Sequence, residues 1–159
     1  MPIISPDEYL FDLDGKYRWT PERVKIAWNR ARAALADAVR WTEPCKVVVM
    51  CGIPASGKTV WIHATREPNT VYFDACLDLP WKREKILRLI RNEVVGRTIE
   101  VELVWCNTTP TRAHQWNEGR SEDRRVPREI IDKMASYFHA NRPNGRREGF
   151  DVMKTVYRD

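Results

Sequence analysis

The chain has 159 residues, 43% of them hydrophobic and 31% charged, with a formal net charge of +5. That is enough for a single domain, 1–159, with a real core, and the composition is that of an ordinary soluble globular chain. No apolar run reaches the length of a membrane span and MPIISPDEY lacks the basic and apolar regions of a signal peptide, so a cytoplasmic protein with no membrane partner is expected.

In chain order, Pro2 to Ser5 is a short apolar run that reads as a strand, and Asp14-Gly15 reads as a turn. Thr20-Pro21-Glu22 opens a helix with a hydroxyl cap, a proline and an acid. Val24, Ala27, Trp28, Ala31, Leu35, Ala38 and Val39 carry its apolar stripe, with Trp28 read as core. After Glu43-Pro44 comes a second strand, Val47 to Met50, then a helix to about Arg66. TVYFD, from Thr70 to Asp74, is a third strand ending in an acid. A helix follows from Pro80 to Val95, closed by Gly96. Ile99 to Trp105 is a strand whose two glutamates alternate with apolar residues, which points to one wetter face and an edge position.

Thr109-Pro110 starts a short helix to about Glu118. The charged run Gly119 to Arg125 follows, and Pro127 to Phe138 forms a helix with Ile130, Ile131, Met134 and Phe138 inward. Phe150 to Tyr157 reads as the last strand. The four cysteines, Cys45, Cys51, Cys76 and Cys106, have no close-paired metal spacing and read as reduced thiols. Alternating strands and helices predict an α/β fold: a mostly parallel sheet of about five strands, helices on both faces, and a ligand at the carboxyl ends of the strands.

The second strand runs into Gly52-Ile53-Pro54-Ala55-Ser56-Gly57-Lys58-Thr59, the G-x-x-x-x-G-K-[ST] pattern of a phosphate-binding P-loop in strand, loop, helix context. Background residue frequencies place it by chance in roughly 0.5% of chains this long, so nucleoside triphosphate binding is expected. The glycines let backbone N–H groups curl round a phosphate. Lys58 adds charge for the β- and γ-phosphates of ATP, and the Thr59 hydroxyl suits Mg²⁺. Asp74, at the end of the next strand, either orients that Mg²⁺ or caps the loop that follows.

Between Arg112 and Arg147 nine Lys and Arg stand against five Asp and Glu. This basic stretch suits either a nucleic acid partner or the protein's own nucleotide. The loop Gly119 to Arg125, hung between two helices, reads as an arginine-rich lid over about 119–127, with a solvated linker as the alternative. The chain is short for a motor and has no N-K-x-D guanine signature. A kinase is therefore favoured over a nucleotide-binding switch or ATPase module.

GIPASGKT, Asn117-x-x-Arg120 and Arg125-Val126-Pro127-x-x-Ile130-Ile131-x-x-Met134 together resemble the P-loop kinases related to polynucleotide 5′-hydroxyl kinase. The family's acidic S-x-D strand lies after the P-loop, whereas the similar Ser5-Pro6-Asp7, with Gly15-Lys16-Tyr17 and the helix from Pro21, lies before it here. Val71 to Cys76 is similar to the family's later V-V-x-D-x-T-N strand. The resemblance thus implies a circularly permuted P-loop kinase. It implies further that Asp7 is the general base and Arg120 contacts the transferred phosphate, with Arg124 and Arg125 as additional candidates. Leu10 replaces the arginine that holds the acceptor's phosphate in the family, and Ala75-Cys76 replaces Thr-Asn. Permuted kinases of this kind are associated with bacteriophages that decorate their DNA, where the proposed acceptor is the hydroxymethyl group of 5-hydroxymethyluracil. The expected partner is accordingly nucleic acid, above all DNA, with a 5′-hydroxyl end or a nucleoside as alternative acceptors.

Overall fold

A computed structural model describes residues 1–159. Five strands form one all-parallel sheet in the order β1-β3-β2-β4-β5: β1 Ile3–Ile4, β2 Lys46–Cys51, β3 Thr70–Phe73, β4 Glu100–Thr108 and β5 Val152–Arg158. The six helices are α1 Pro21–Thr42, α2 Lys58–Thr65, α3 Pro80–Glu93, α4 Pro110–Glu118, α5 Arg128–Ala140 and the single turn α6 Gly145–Glu148.

Strand alternation divides the core in two. Val47, Val49, Val71, Phe73, Val101 and Leu103 face α1, α3 and α5, whereas Val48, Met50, Tyr72 and Val104 face Ile62 of α2. Helix α1 begins where expected: the Thr20 side chain accepts from the Arg23 N–H at 3.2 Å with Pro21 in the first turn, and Glu43 ends it in the left-handed region. Helix α3 ends at Glu93, and Gly96 turns the chain slightly later.

The expected edge position of the glutamate-bearing strand is corrected by the structure, since β4 lies between β2 and β5. Its wetter face is real. Glu100 and Glu102 share the side covered only by the short α2, and Lys46 of β2 reaches Glu102 at 2.6 Å although Glu102 is only 3% exposed. A paired charge substitutes there for the helix that would otherwise cover the sheet. A second correction concerns α5, whose Ile131 and Phe138 are buried while Ile130 is 37% exposed and lines a cavity. The first turn of α5 faces that cavity, so its apolar side chain serves as wall.

Arg83 is wholly buried. Its Nε donates to Glu148 Oε1 at 2.6 Å and its Nη1 to the Leu77 carbonyl at 2.8 Å, which ties α3 to α6 and to the chain leaving β3. Removing one partner of a buried pair strands the other charge. Arg83→Met is therefore expected to cost about 3 kcal/mol, a fall of about 6–12 °C in Tm. Thermal unfolding checks this, and the double variant with Glu148→Met should recover most of the loss. An unchanged Tm in Arg83→Met would show that the pair holds nothing together.

Candidate active site

Because every strand runs the same way, the carboxyl ends of β1, β2 and β3 bring three separate segments together. The Gly52 N–H donates to the Cys76 carbonyl at 2.9 Å, and the Asp74 N–H to the Ile4 carbonyl at 2.8 Å. These bonds seat the loop after β2 against the chain after β3, and the chain after β3 against the segment that carries Asp7.

The loop Gly52 to Thr59, expected to bind phosphate, is shaped by backbone strain that its sequence permits. Gly52 has φ +146°, and a Cβ there would come within 2.7 Å of the Cys106 carbonyl oxygen and 2.9 Å of Ser56 Oγ, so only glycine fits. Gly57, at φ +87°, leads into α2 with the Trp116 ring against it. The Thr108 hydroxyl donates to the Ser56 carbonyl at 2.8 Å and fixes the loop to β4.

Lys58 is buried and folds back over the loop. Its Nζ donates to the carbonyls of Gly52 at 3.1 Å and Ile53 at 2.9 Å and lies 3.4 Å from Ser56 Oγ. Burial opposes its charge, but Cys76, Asp74, Cys106 and Asp7 outweigh that, so the ammonium is held above its ordinary pKa. The Thr59 hydroxyl donates to Asp74 Oδ2 at 2.5 Å. One hydroxyl and one carboxylate at a helix N-terminus fit Mg²⁺, which keeps most of its waters and takes its remaining ligands from phosphates.

Pro54 to Thr59 open onto a cavity of about 1210 Å³ that is also lined by Asp7, Asp74, Arg120, Arg124 and Arg125. Gly52 and Ile53 lie beneath it, their carbonyls turned to Lys58. The expected site residues thus share one space, although they come from four parts of the chain. Burial, and then the neighbouring Arg124, pull the Arg120 guanidinium below its ordinary value, while Asp7 acts the other way. Two guanidinium groups that oppose one another beside a cavity make a place for an anion.

The segment 119–127 is held in two places. Asn117, buried at the end of α4, donates from Nδ2 to the Val126 carbonyl at 2.7 Å and accepts from the Val126 N–H at 2.9 Å, closing the base of the segment. Midway along it Arg124 lies over the rings of Phe11 and Tyr17, at 5.3 and 5.9 Å, and the Tyr17 N–H donates to Asp123 Oδ2 at 3.3 Å. The Tyr17 hydroxyl donates to Asp7 Oδ1 at 3.4 Å. Burial, then Asp7, push this phenol well above its ordinary pKa, so it remains a donor. Tyr17 therefore joins the arginine segment to the Asp7 carboxylate.

Three contributors went unread in the sequence. Glu8 has its carboxyl raised by burial and then by Asp74, so a second acid faces the phosphate end, and its adjacency to Asp7 was the available signal. Trp28 packs against Phe73, with ring centroids 6.2 Å apart, and lines the cavity as well. Cys76 lies 3.7 Å from Lys58 Nζ, where the residue type alone suggested only a core thiol. All four cysteines are free, Cys51 and Cys106 are buried, and burial pushes the Cys106 thiol up to about 11. No helix is long and apolar enough to cross a membrane. Comparison of the chain with models of known protein families finds none that matches, and no curated protein matches it in sequence.

Proposed function

We propose that the protein is an ATP-dependent kinase that transfers the γ-phosphoryl group to a hydroxyl on nucleic acid, with the 5-hydroxymethyl group of 5-hydroxymethyluracil in DNA as the preferred acceptor. The observation that carries this reading is the shared cavity, in which Lys58 and the Thr59–Asp74 pair face Asp7 and the three arginines Arg120, Arg124 and Arg125. A switch protein needs the first half of that arrangement only. Transfer to an acceptor also needs a base and charge neutralisation on the far side of the phosphate.

ATP with Mg²⁺ supplies the activated phosphoryl group. Backbone amides of Ala55 to Thr59 and the Lys58 ammonium bind the phosphates, since the Gly52 N–H is already given to Cys76 and Pro54 has none, and Thr59 with Asp74 would hold the metal. Asp7 accepts the acceptor's hydroxyl proton as its oxygen bonds to the γ-phosphorus and the bond to the bridging β-oxygen breaks, leaving ADP. Arg120 neutralises charge on the transferred group, with Arg124 and Arg125 beside it, and the segment Gly119 to Pro127 acts as the lid that keeps water out.

The strand order supports a circular permutation of the P-loop kinase plan. Strand β1, which leads into the turn that carries Asp7, precedes the phosphate loop in the chain yet sits beside β3. Leu10 favours a base hydroxyl over a 5′ end, because it is buried against α1 and leaves no cation to hold a terminal phosphate at that position.

The test is transfer of radiolabelled γ-phosphate to three matched oligonucleotides, each offered as a single strand and as a duplex: free 5′-hydroxyl ends with thymine, blocked ends with thymine, and blocked ends with 5-hydroxymethyluracil. Label is expected in the blocked hydroxymethyluracil oligonucleotide alone. Label only at free 5′ ends would make the protein an end kinase, and label in none would turn the reading to nucleosides or to a switch.

A further inference from the structure

The cavity of about 1210 Å³ exceeds the roughly 300–1,000 Å³ usual for one small molecule, and it continues past the phosphate end along α1 and α3. On α1, Lys25, Trp28 and Arg32 follow helical spacing and so share a face. Trp81 and Lys85 do the same on α3, and Trp19 stands just ahead of α1. Trp19 is 62% exposed and Trp81 59%, although such large rings are usually covered. Lys25, Arg32 and Lys85 form no ion pair. The acid on this wall, Asp78, is buried and bound to Lys82 at 2.6 Å. The other acids of the cavity lie at its phosphate end, on Asp7, Glu8 and Asp74, or on the segment that leads into α5, on Asp123 and Glu129.

Flat rings open to solvent, interleaved with unneutralised cations, are the chemistry that binds unpaired nucleotides: bases stack on the indoles while phosphates meet the cations. We infer that the α1–α3 wall of the cavity binds the nucleotides flanking the acceptor, so that the substrate is a strand of nucleic acid unpaired at the site. This rests on the kinase reading for its meaning, though its binding step does not.

The test is fluorescence anisotropy without ATP, on the full chain, with a labelled single-stranded thymidine 12-mer blocked at both ends, and competition by thymidine monophosphate. The 12-mer should bind at least 100-fold more tightly than the monophosphate. Trp19→Ala and Trp81→Ala should each weaken it about tenfold. Lys25→Gln with Lys85→Gln should flatten the dependence of log Kd on log salt by about 1.4. Trp41→Ala, an exposed tryptophan near the far end of α1, should change nothing. Both exposed rings can be removed without emptying the core, and equal melting temperatures confirm intact folding. Equal affinity for monophosphate and 12-mer, or variants indistinguishable from the parent, would overturn the inference. Because ATP is absent, variant-sensitive binding with no phosphoryl transfer would overturn the kinase reading alone, whereas transfer with variant-insensitive binding would overturn this inference alone.

Discussion

Lys58→Ala is expected to lower kcat/KM for phosphoryl transfer by about 10³-fold or more, and to weaken ATP binding as well. Two losses combine. The first is the positive charge that meets the β- and γ-phosphates. The second is structural: Lys58 Nζ ties the carbonyls of Gly52 and Ile53 to the interior of the loop, and alanine leaves both buried acceptors without that donor. Lys58→Arg separates charge from shape. Its guanidinium restores the charge but is too broad for a space bounded by two carbonyls and Ser56 Oγ, so it should remain at least 100-fold impaired. Steady-state transfer assays and calorimetric titration of ATP measure the two effects separately. Full activity in Lys58→Ala would mean that the loop does not hold the reacting phosphates.

Asp7→Asn is expected to lower kcat by about 10²–10⁴-fold while leaving ATP affinity unchanged. Asparagine keeps the size of the side chain and still accepts the Tyr17 hydroxyl, 3.4 Å away in the parent, so the cavity keeps its shape. What it loses is the capacity to take a proton. The split between intact ATP binding and lost transfer is the signature of a base, since a merely structural aspartate would disturb both or neither. Should Asp7→Asn transfer at the normal rate, Glu8 becomes the base. Its carboxyl is already raised by burial and by Asp74, and Glu8→Gln would then carry the loss.

Much of this arrangement could be read from residues close together in the chain. The apolar run into GIPASGKT, the hydroxyl caps of Thr20 and Thr109, and the valine-rich strands depend on local geometry, and each element lies where local geometry puts it. The features that went unread are those made by pairs distant in sequence. Glu102 reads as a solvent-facing residue until Lys46 is placed beside it by strand pairing. Arg83 reads as an exposed helical arginine until Glu148, 65 residues later, meets it in the core. Trp28 reads as core because indoles usually are; only the placement of α1 beside α3 shows that it lines a cavity together with Trp19 and Trp81. The arginine segment could be read as charged and loop-like, but not that Asn117 fastens its base and Tyr17 its middle.

The two-residue β1 has a consequence for the order in which this site comes together. Its partners on β3 lie some seventy positions along the chain, and it is joined to them chiefly by the bonds from Tyr72 N to Pro2 O and from Asp74 N to Ile4 O. So short a strand, closing so long a loop, docks late in folding and is among the first parts to open afterwards. The phosphate loop belongs to the central strands β2, β3 and β4 and does not share that fragility. On the kinase reading proposed above, detachment of β1 would leave a molecule that keeps its phosphate loop but has no Asp7 beside it: a resting form reached by peeling one edge, with the rest of the sheet intact.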